Sequence, residues 1–162
     1  MKTLLIMRHA KSSWDDESLP DYDRPLNKRG QKDAPRMGQL LLEEQLGPDL
    51  ILSSTALRAR TTAEIVAREI KFGGEIELQP DLYHAEPEDY IRALKALKDP
   101  ADQVLIVGHN PGLEDLLALL TGGNEHLPTA AIAVVEFSIA HWRELTAKTK
   151  GRRIRLWRPK EL

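Results

Sequence analysis

Two histidines and two arginines stand just after short apolar runs of the chain, where strands would end. Arg8 and His9 follow the first run, Arg58 comes shortly after the second, and His109 follows the fourth. Guanidinium groups bind phosphate oxygens through paired hydrogen bonds and keep their charge at every relevant pH. A neutral imidazole is a competent nucleophile toward phosphorus, and a second, protonated imidazole would donate to the phosphoryl oxygens. These residue types favour phosphoryl transfer.

The elements that must position these residues are apolar runs alternating with runs of helical period. Strands are predicted at Asp49–Leu52, Glu75–Leu78, Val104–Val107, Ile132–Phe137 and Arg153–Trp157, after a first strand at Leu4–Met7. The last run alternates charged and apolar residues, as a half-exposed edge strand does. Strands alternating with helices predict an α/β fold, a three-layer α/β/α sandwich with a mostly parallel central sheet. Ligands bind at the carboxyl ends of such strands, so the four residues should share one rim.

Local signals place the ends of the helices. Asn27 is predicted to cap the first helix, and Pro35 should kink that helix or delay its start. Pro87 suits the first position of the third helix, and Gly122-Gly123 should end the fourth. Arg58 would then lie in the first turn of the second helix, where free N–H groups favour an anion.

Four segments together resemble the histidine phosphatase superfamily, the phosphoglycerate mutase-like proteins. They are Arg8-His9-Ala10, the D-x-x-R-x-L-x-x-x-G segment from Asp21 to Gly30, the SxxxRAxxTA segment from Ser54 to Ala63, and Val107-Gly108-His109-Asn110-Pro111. Their order and spacing match the family. The short chain without long insertions is most similar to the SixA-type phosphohistidine phosphatases.

The resemblance implies a phosphoglycerate mutase-like fold and a role for each motif residue. His9 would be the nucleophile, and Arg8, Arg58 and His109 would surround the phosphoryl oxygens. Arg24 would reach in from its loop, and Asn110 and Ser54 are candidates for further contacts. If His9 acts neutral and His109 protonated, activity should be bell-shaped in pH. Arginines and a histidine would carry the charge that a metal carries elsewhere, so no metal or cofactor is expected.

Two departures from the family pattern bear on the substrate. Ala10 replaces a glycine, which costs little if its φ is negative. Many family members carry a glutamate general acid in an L-x-E pattern, but residues 82–87 here read LYHAEP, leaving only His84 and Glu86 as candidates. A missing acid hinders alcohol leaving groups, since protonating the leaving oxygen contributes about 10²–10⁴-fold. A phosphohistidine needs this less, so the departure favours a phosphorylated protein as partner.

Composition limits the remaining possibilities. The chain has 162 residues, no cysteine and a formal net charge of −2, which predicts one domain over residues 1–162 and excludes thiol catalysis. Near-neutral charge argues against a nucleic-acid partner, and no apolar stretch is long enough for a membrane span. A cytoplasmic location is therefore expected.

Alternatives stay open at this stage. The same site could serve a small phosphomonoester, as a phosphatase or mutase, or could bind phosphate without turnover. Ser12, Ser13 and Trp14 could line the pocket or pack the loop. The acidic stretch from Asp15 to Asp23 is most simply a solvated loop, and alternatively a lid that disfavours polyanionic substrates.

Overall fold

The computed structural model describes residues 1–98 and 100–162 of the chain. Ten helices and strands carry the fold: β1 Lys2–Arg8, α1 Lys28–Glu43, β2 Leu50–Ser54, α2 Leu57–Glu69, β3 Ile76–Gln79, α3 Pro87–Lys95, β4 Gln103–Gly108, α4 Gly112–Thr121, β5 Ile132–Phe137 and β6 Arg152–Trp157. Each predicted strand is present, with ends that shift by a residue or two.

The six strands form one mostly parallel sheet in the order β3-β2-β4-β1-β5-β6. The first four strands run parallel, whereas β5 is antiparallel to both of its neighbours. Arg8 pairs with Gly108 at the end of β1 and β4, and Ser53 of β2 pairs with Val107. Arg8, Ser54 and His109 therefore reach the same rim of the sheet.

Helices cover both faces of the sheet, so the predicted α/β/α sandwich is confirmed. Alternate residues of β1 separate the two cores: Leu5 and Met7 pack with α1 and α2, and Leu4 and Ile6 pack with α3 and α4. Because both faces are buried, the central strands are apolar throughout, as their sequences indicated. β6 lies at the edge and is partly exposed, as predicted.

The helix ends follow the expected signals, with one difference. The Asn27 side chain accepts a hydrogen bond from the Gly30 N–H and caps α1, α3 begins at Pro87, and α4 ends at Gly122 with φ 78°. Pro35 does not delay α1, which begins at Lys28 and runs through the proline. Gly30 lies so close to the loop after β1 that a Cβ there would stand 2.2 Å from the Lys11 carbonyl oxygen.

Candidate active site

A pocket of about 200 Å³ lies at the carboxyl ends of β1, β2 and β4. Its lining consists of Arg8, His9, Lys11, Ser12, Trp14, Arg24, Arg58, His109, Asn110 and Thr129. Six of these residues are ones to which the family resemblance gave a role, brought from three strand ends and one loop. Ser12 and Trp14 line the pocket. Ser13 does not belong to the lining, and its backbone carbonyl oxygen accepts a hydrogen bond from Arg24.

His9 is buried with one ring nitrogen fixed and the other free. Its Nδ1 lies 2.7 Å from the Ala10 carbonyl oxygen, which can only accept, so Nδ1 carries the proton. The lone pair then belongs to Nε2. Burial lowers the pKa of His9 to about 3, and the nearby His109, Arg58 and Arg8 act in the same direction against the opposing hydrogen bond. The imidazole is therefore neutral near pH 7, as a nucleophile requires.

His109 faces His9 with their ring centroids 5.1 Å apart. Its Nε2 lies 2.8 Å from the Ser54 hydroxyl oxygen, and its backbone N–H donates to the Tyr90 hydroxyl at 3.3 Å. Burial and the charge of Arg58 lower the pKa of His109 to about 3. This shift favours the neutral ring and so opposes the expected protonation of His109, and the bell-shaped pH profile stays a prediction. A phosphoryl dianion beside the ring would favour its protonation.

Asp21 joins the two arginines that converge on the pocket. Arg58 donates to its carbonyl oxygen at 2.8 Å and to its carboxylate at 3.0 Å, and Arg24 donates to the carboxylate at 2.9 Å. Tyr83 donates its hydroxyl to the same carboxylate. Burial would raise the pKa of Asp21, but these hydrogen bonds hold it well below its usual range.

The acidic stretch is therefore only partly a solvated loop. Asp15 and Asp23 are exposed, as the simplest interpretation expected, but Asp21 is half-buried and paired. Its place in the D-x-x-R-x-L-x-x-x-G segment was a signal for a structural role. Tyr83 had no comparable signal, because its contact with Asp21 spans 62 positions of the chain.

Arg24 reaches the pocket over the loop that follows His9. Its Nε donates to the Ser13 carbonyl oxygen at 3.0 Å, and its guanidinium donates to the Ser12 hydroxyl. The Trp14 ring lies against the guanidinium at 3.2 Å and is itself 68% exposed. Together with Asp21, these contacts hold the charge of Arg24 in one position although the loop is at the surface.

Arg8 and Asn110, which also line the pocket, donate hydrogen bonds to the same backbone carbonyl group. Arg8 Nη1 and Asn110 Nδ2 both donate to the Leu127 carbonyl oxygen, at 3.2 and 2.8 Å. Burial lowers the pKa of Arg8, while Glu114 opposes that shift. Arg8 Nε and Asn110 Oδ1 are buried and have no hydrogen-bond partner among the described residues.

The end of β1 is fastened to its neighbours through backbone hydrogen bonds. The Ala10 N–H donates at 3.0 Å to the Thr62 hydroxyl of α2, which donates in turn to the Arg58 carbonyl oxygen at 2.7 Å. The Ala130 N–H donates to the Arg8 and His9 carbonyl oxygens, and Ala130 has a φ of 66° that is uncommon for a non-glycine residue. Ala10 itself has no positive φ, so alanine fits there in place of glycine.

The two candidates for a general acid lie outside the pocket lining. Glu86 is exposed and precedes α3, where its backbone N–H donates to the Asp89 carboxylate at 2.9 Å. His84 is exposed, and its ring lies 4.0 Å from that of Tyr83, centroid to centroid. No aspartate or glutamate belongs to the pocket lining given above, and Asp21 beside it is held ionised.

Comparisons with known proteins agree with this geometry. The family described as the histidine phosphatase superfamily (branch 1) matches residues 4–90. The chain belongs to the histidine phosphatase superfamily. A chloroplastic protein of Arabidopsis thaliana, itself uncharacterised, is 31% identical over 155 residues, 90% of this chain and 71% of that protein. Phosphoglycerate mutase 1 of Saccharomyces cerevisiae is 37% identical over 67 residues, 40% of this chain and 27% of that enzyme.

Two solved histidine phosphatases resemble the whole structure. A protein of Agrobacterium tumefaciens assigned as phosphohistidine phosphatase SixA is 30% identical, with a TM-score of 0.84 over 98% of both chains. The protein histidine phosphatase SixA, solved in complex with tungstate, is 26% identical, with a TM-score of 0.83 over 98% of both chains. The fold and the phosphatase family are thus established together.

Within residues 1–98 and 100–162, no three histidine, aspartate or glutamate side chains are grouped so as to hold a metal ion. In the same part of the chain, no helix has the length and apolar character needed to span a membrane.

Proposed function

We propose that this histidine phosphatase hydrolyses phosphohistidine in proteins, with His9 as the group that carries the phosphoryl. The observation that supports this most is the neutral, tautomer-fixed imidazole of His9 in a pocket lined by Arg8, Arg24 and Arg58. The likeness to the Agrobacterium protein assigned as SixA supports the same substrate class.

The first step transfers the phosphoryl group to the enzyme. The His9 Nε2 lone pair attacks phosphorus, the P–N bond to the substrate imidazole breaks, and the substrate nitrogen keeps that electron pair. The guanidinium groups and His109 would stabilise the charge on the equatorial oxygens, which is the main contribution that a protein makes to phosphoryl transfer. In the second step water attacks phosphorus, the His9–phosphorus bond breaks with its electron pair returning to Nε2, and inorganic phosphate leaves with the protons of the water.

The composition of the pocket supports a nitrogen leaving group. An alkoxide must be protonated as it leaves, and the lining contains no carboxylic acid for that purpose. The leaving imidazole of a phosphohistidine can already carry a proton near neutral pH. The same lining would make hydrolysis of sugar phosphates and other alkyl phosphates slow.

Replacing His9 with alanine tests the assignment. We expect His9→Ala to lower the turnover of a phosphohistidine peptide by about 10³-fold or more, because the remaining imidazole of the pocket, His109, has its Nε2 engaged with the Ser54 hydroxyl at 2.8 Å. Phosphate release is measured with and without EDTA, and the matched control is His141→Ala, an exposed histidine. Rapid quenching should trap an acid-labile phosphoryl group on the wild type and on His141→Ala, but not on His9→Ala.

Two outcomes would contradict the proposal. Full turnover by His9→Ala would remove His9 from the mechanism. Strong kcat/KM on alkyl phosphomonoesters, with none on the phosphohistidine peptide, would establish the small-molecule alternative instead.

A further inference from the structure

A groove of about 320 Å³ adjoins the pocket around His9, which we call the phosphate pocket. The two share Arg8, Lys11 and Thr129. The lining of the groove includes five lysines and arginines against one aspartate and one glutamate. We call it the basic groove and define it by Lys11, Arg29, Arg158 and Lys160, which border it beyond Arg8. A molecule whose phosphoryl group lies in the pocket can extend directly into this groove.

The two lysines supply charge that the protein itself does not neutralise. Neither Lys11 nor Lys160 forms an ion pair with any described residue, whereas Arg29 lies 3.8 Å from Asp33 and Arg158 lies 3.3 Å from Glu125. Lys11 is half-buried and Lys160 is exposed. The protein carries a formal net charge of −2, so this local excess of positive charge differs in sign from the whole molecule.

The walls of the groove are held in place by hydrogen bonds between distant segments. The Lys11 carbonyl oxygen accepts from the Asn27 N–H at 3.0 Å, next to the start of α1. Arg36 of α1 donates to the Pro159 carbonyl oxygen at 3.1 Å, and Arg158 donates to that of His126 at 3.1 Å. Because the C-terminal segment is tied to α1 in this way, the groove exists before a substrate binds.

We propose that the basic groove binds an acidic side chain of the substrate protein, close to its phosphorylated histidine. This inference rests on the proposed function and adds a sequence preference to it. The groove is larger than the phosphate pocket and is built from four chain segments, which suits a polypeptide that continues past the phosphoryl group. Carboxylates are the groups that two unneutralised ammonium ions recognise in a protein, and they also speed the encounter by attraction over a distance.

The test compares two phosphohistidine peptides that differ only in flanking residues, aspartate and glutamate in one, asparagine and glutamine in the other. Each ion pair at the surface is worth a factor of about 1.5 to 5, so two such pairs should give the wild type a preference for the acidic peptide of about 2- to 25-fold in kcat/KM. The preference should shrink from 50 to 200 mM salt, because these charges are screened. The Lys11→Ala/Lys160→Ala double variant should lose the preference.

The matched control is Lys95→Ala/Lys148→Ala, which removes two exposed lysines that do not line the groove. It should keep the preference of the wild type. Equal kcat/KM for the two peptides with the wild type, or an undiminished preference in the Lys11→Ala/Lys160→Ala variant, would overturn the inference.

A binding measurement separates this inference from the proposed function. The unphosphorylated acidic and neutral peptides are titrated calorimetrically into wild type and the groove variant. Tighter binding of the acidic peptide to wild type alone supports the groove even if no phosphohistidine is hydrolysed. Equal binding of the acidic and neutral peptides to the wild type contradicts the inference. It is also contradicted if the groove variant weakens the binding only of small molecules that carry two phosphate groups, and not that of the acidic peptide. Hydrolysis of the neutral peptide that depends on His9 supports the proposed function whatever the groove does.

Discussion

Asp21 gives the pocket its arrangement of positive charge before any phosphate arrives. Two arginines that converge on one small cavity repel each other, and the carboxylate lies where it can hold both of them. Each guanidinium still has N–H groups left for a ligand, because Asp21 uses only part of the donor set. We therefore interpret Asp21 as a positioning residue and Tyr83 as the group that orients its carboxylate.

Substitution of Asp21 tests this role. We expect Asp21→Asn to lower kcat/KM by about 10-fold, because charge-assisted hydrogen bonds that hold Arg24 and Arg58 become weaker. Steady-state kinetics and inhibition by vanadate measure the effect. Asp23→Asn, at an exposed position of the same acidic stretch, is the matched control and should stay near wild type. If Asp21→Asn instead raises kcat/KM and tightens vanadate binding, then Asp21 competes with phosphate and does not position the arginines.

At the level of elements, α2 supports the nucleophile as well as the phosphate site. The Thr62 hydroxyl takes a hydrogen bond from the backbone beside His9 and gives one to the backbone of Arg58, so one side chain sets the distance between β1 and α2. Thr62 is fully buried. The threonine of the SxxxRAxxTA segment therefore has a structural explanation that its position in the sequence alone did not supply.

Thr62→Val should remove this connection while keeping the shape of the side chain. The Ala10 N–H would lose its partner inside the protein, so we expect unfolding to become easier by about 1–3 kcal/mol and activity to fall as well. Urea denaturation and kinetics measure both. Thr62→Ser, which keeps the hydroxyl, should restore activity, and Thr61→Val on the more exposed side of α2 serves as control. Wild-type stability in Thr62→Val would show that the hydrogen bonds are dispensable.

The sequence was most informative where one local signal decides the structure. The apolar runs predicted the strands, since strands buried on both faces leave no polar positions, and Asn27 and Gly122 marked helix ends through their own backbone needs. It was least informative where partners are distant along the chain. Pro35 is accommodated inside α1, and no local pattern indicated that Tyr83 would bind Asp21 or that the C-terminal segment would border the basic groove.

For the whole molecule, the histidine pair makes stability depend on pH. The pKa of His9 and that of His109 lie at about 3 in the folded protein against 6.5 in an unfolded chain. Between these values the unfolded chain binds protons that the folded protein does not, so stability is lost as pH falls through 6.5. Each histidine accounts for about 1.4 kcal/mol per pH unit in the lower part of that window.

His109→Gln separates this effect from other acid-sensitive groups. From pH 6.5 to 5.0, we expect the free energy of unfolding of this variant to fall by about 1.5 kcal/mol less than that of wild type. Urea denaturation at both pH values measures it, with His141→Gln, an exposed histidine, as control. An identical loss in His109→Gln and wild type would mean that His109 titrates normally in the folded protein.

The acceptor that fixes the His9 ring is the carbonyl oxygen of Ala10, the next residue of the chain. In many enzymes a histidine is oriented by a carboxylate from elsewhere in the fold, and a single substitution there can turn the ring or change its tautomer. Here every amino acid at position 10 brings the same carbonyl. The reactive nitrogen is therefore protected from replacement of its orienting group, and selection can alter the rest of the pocket, including its substrate preference, without giving up the nucleophile.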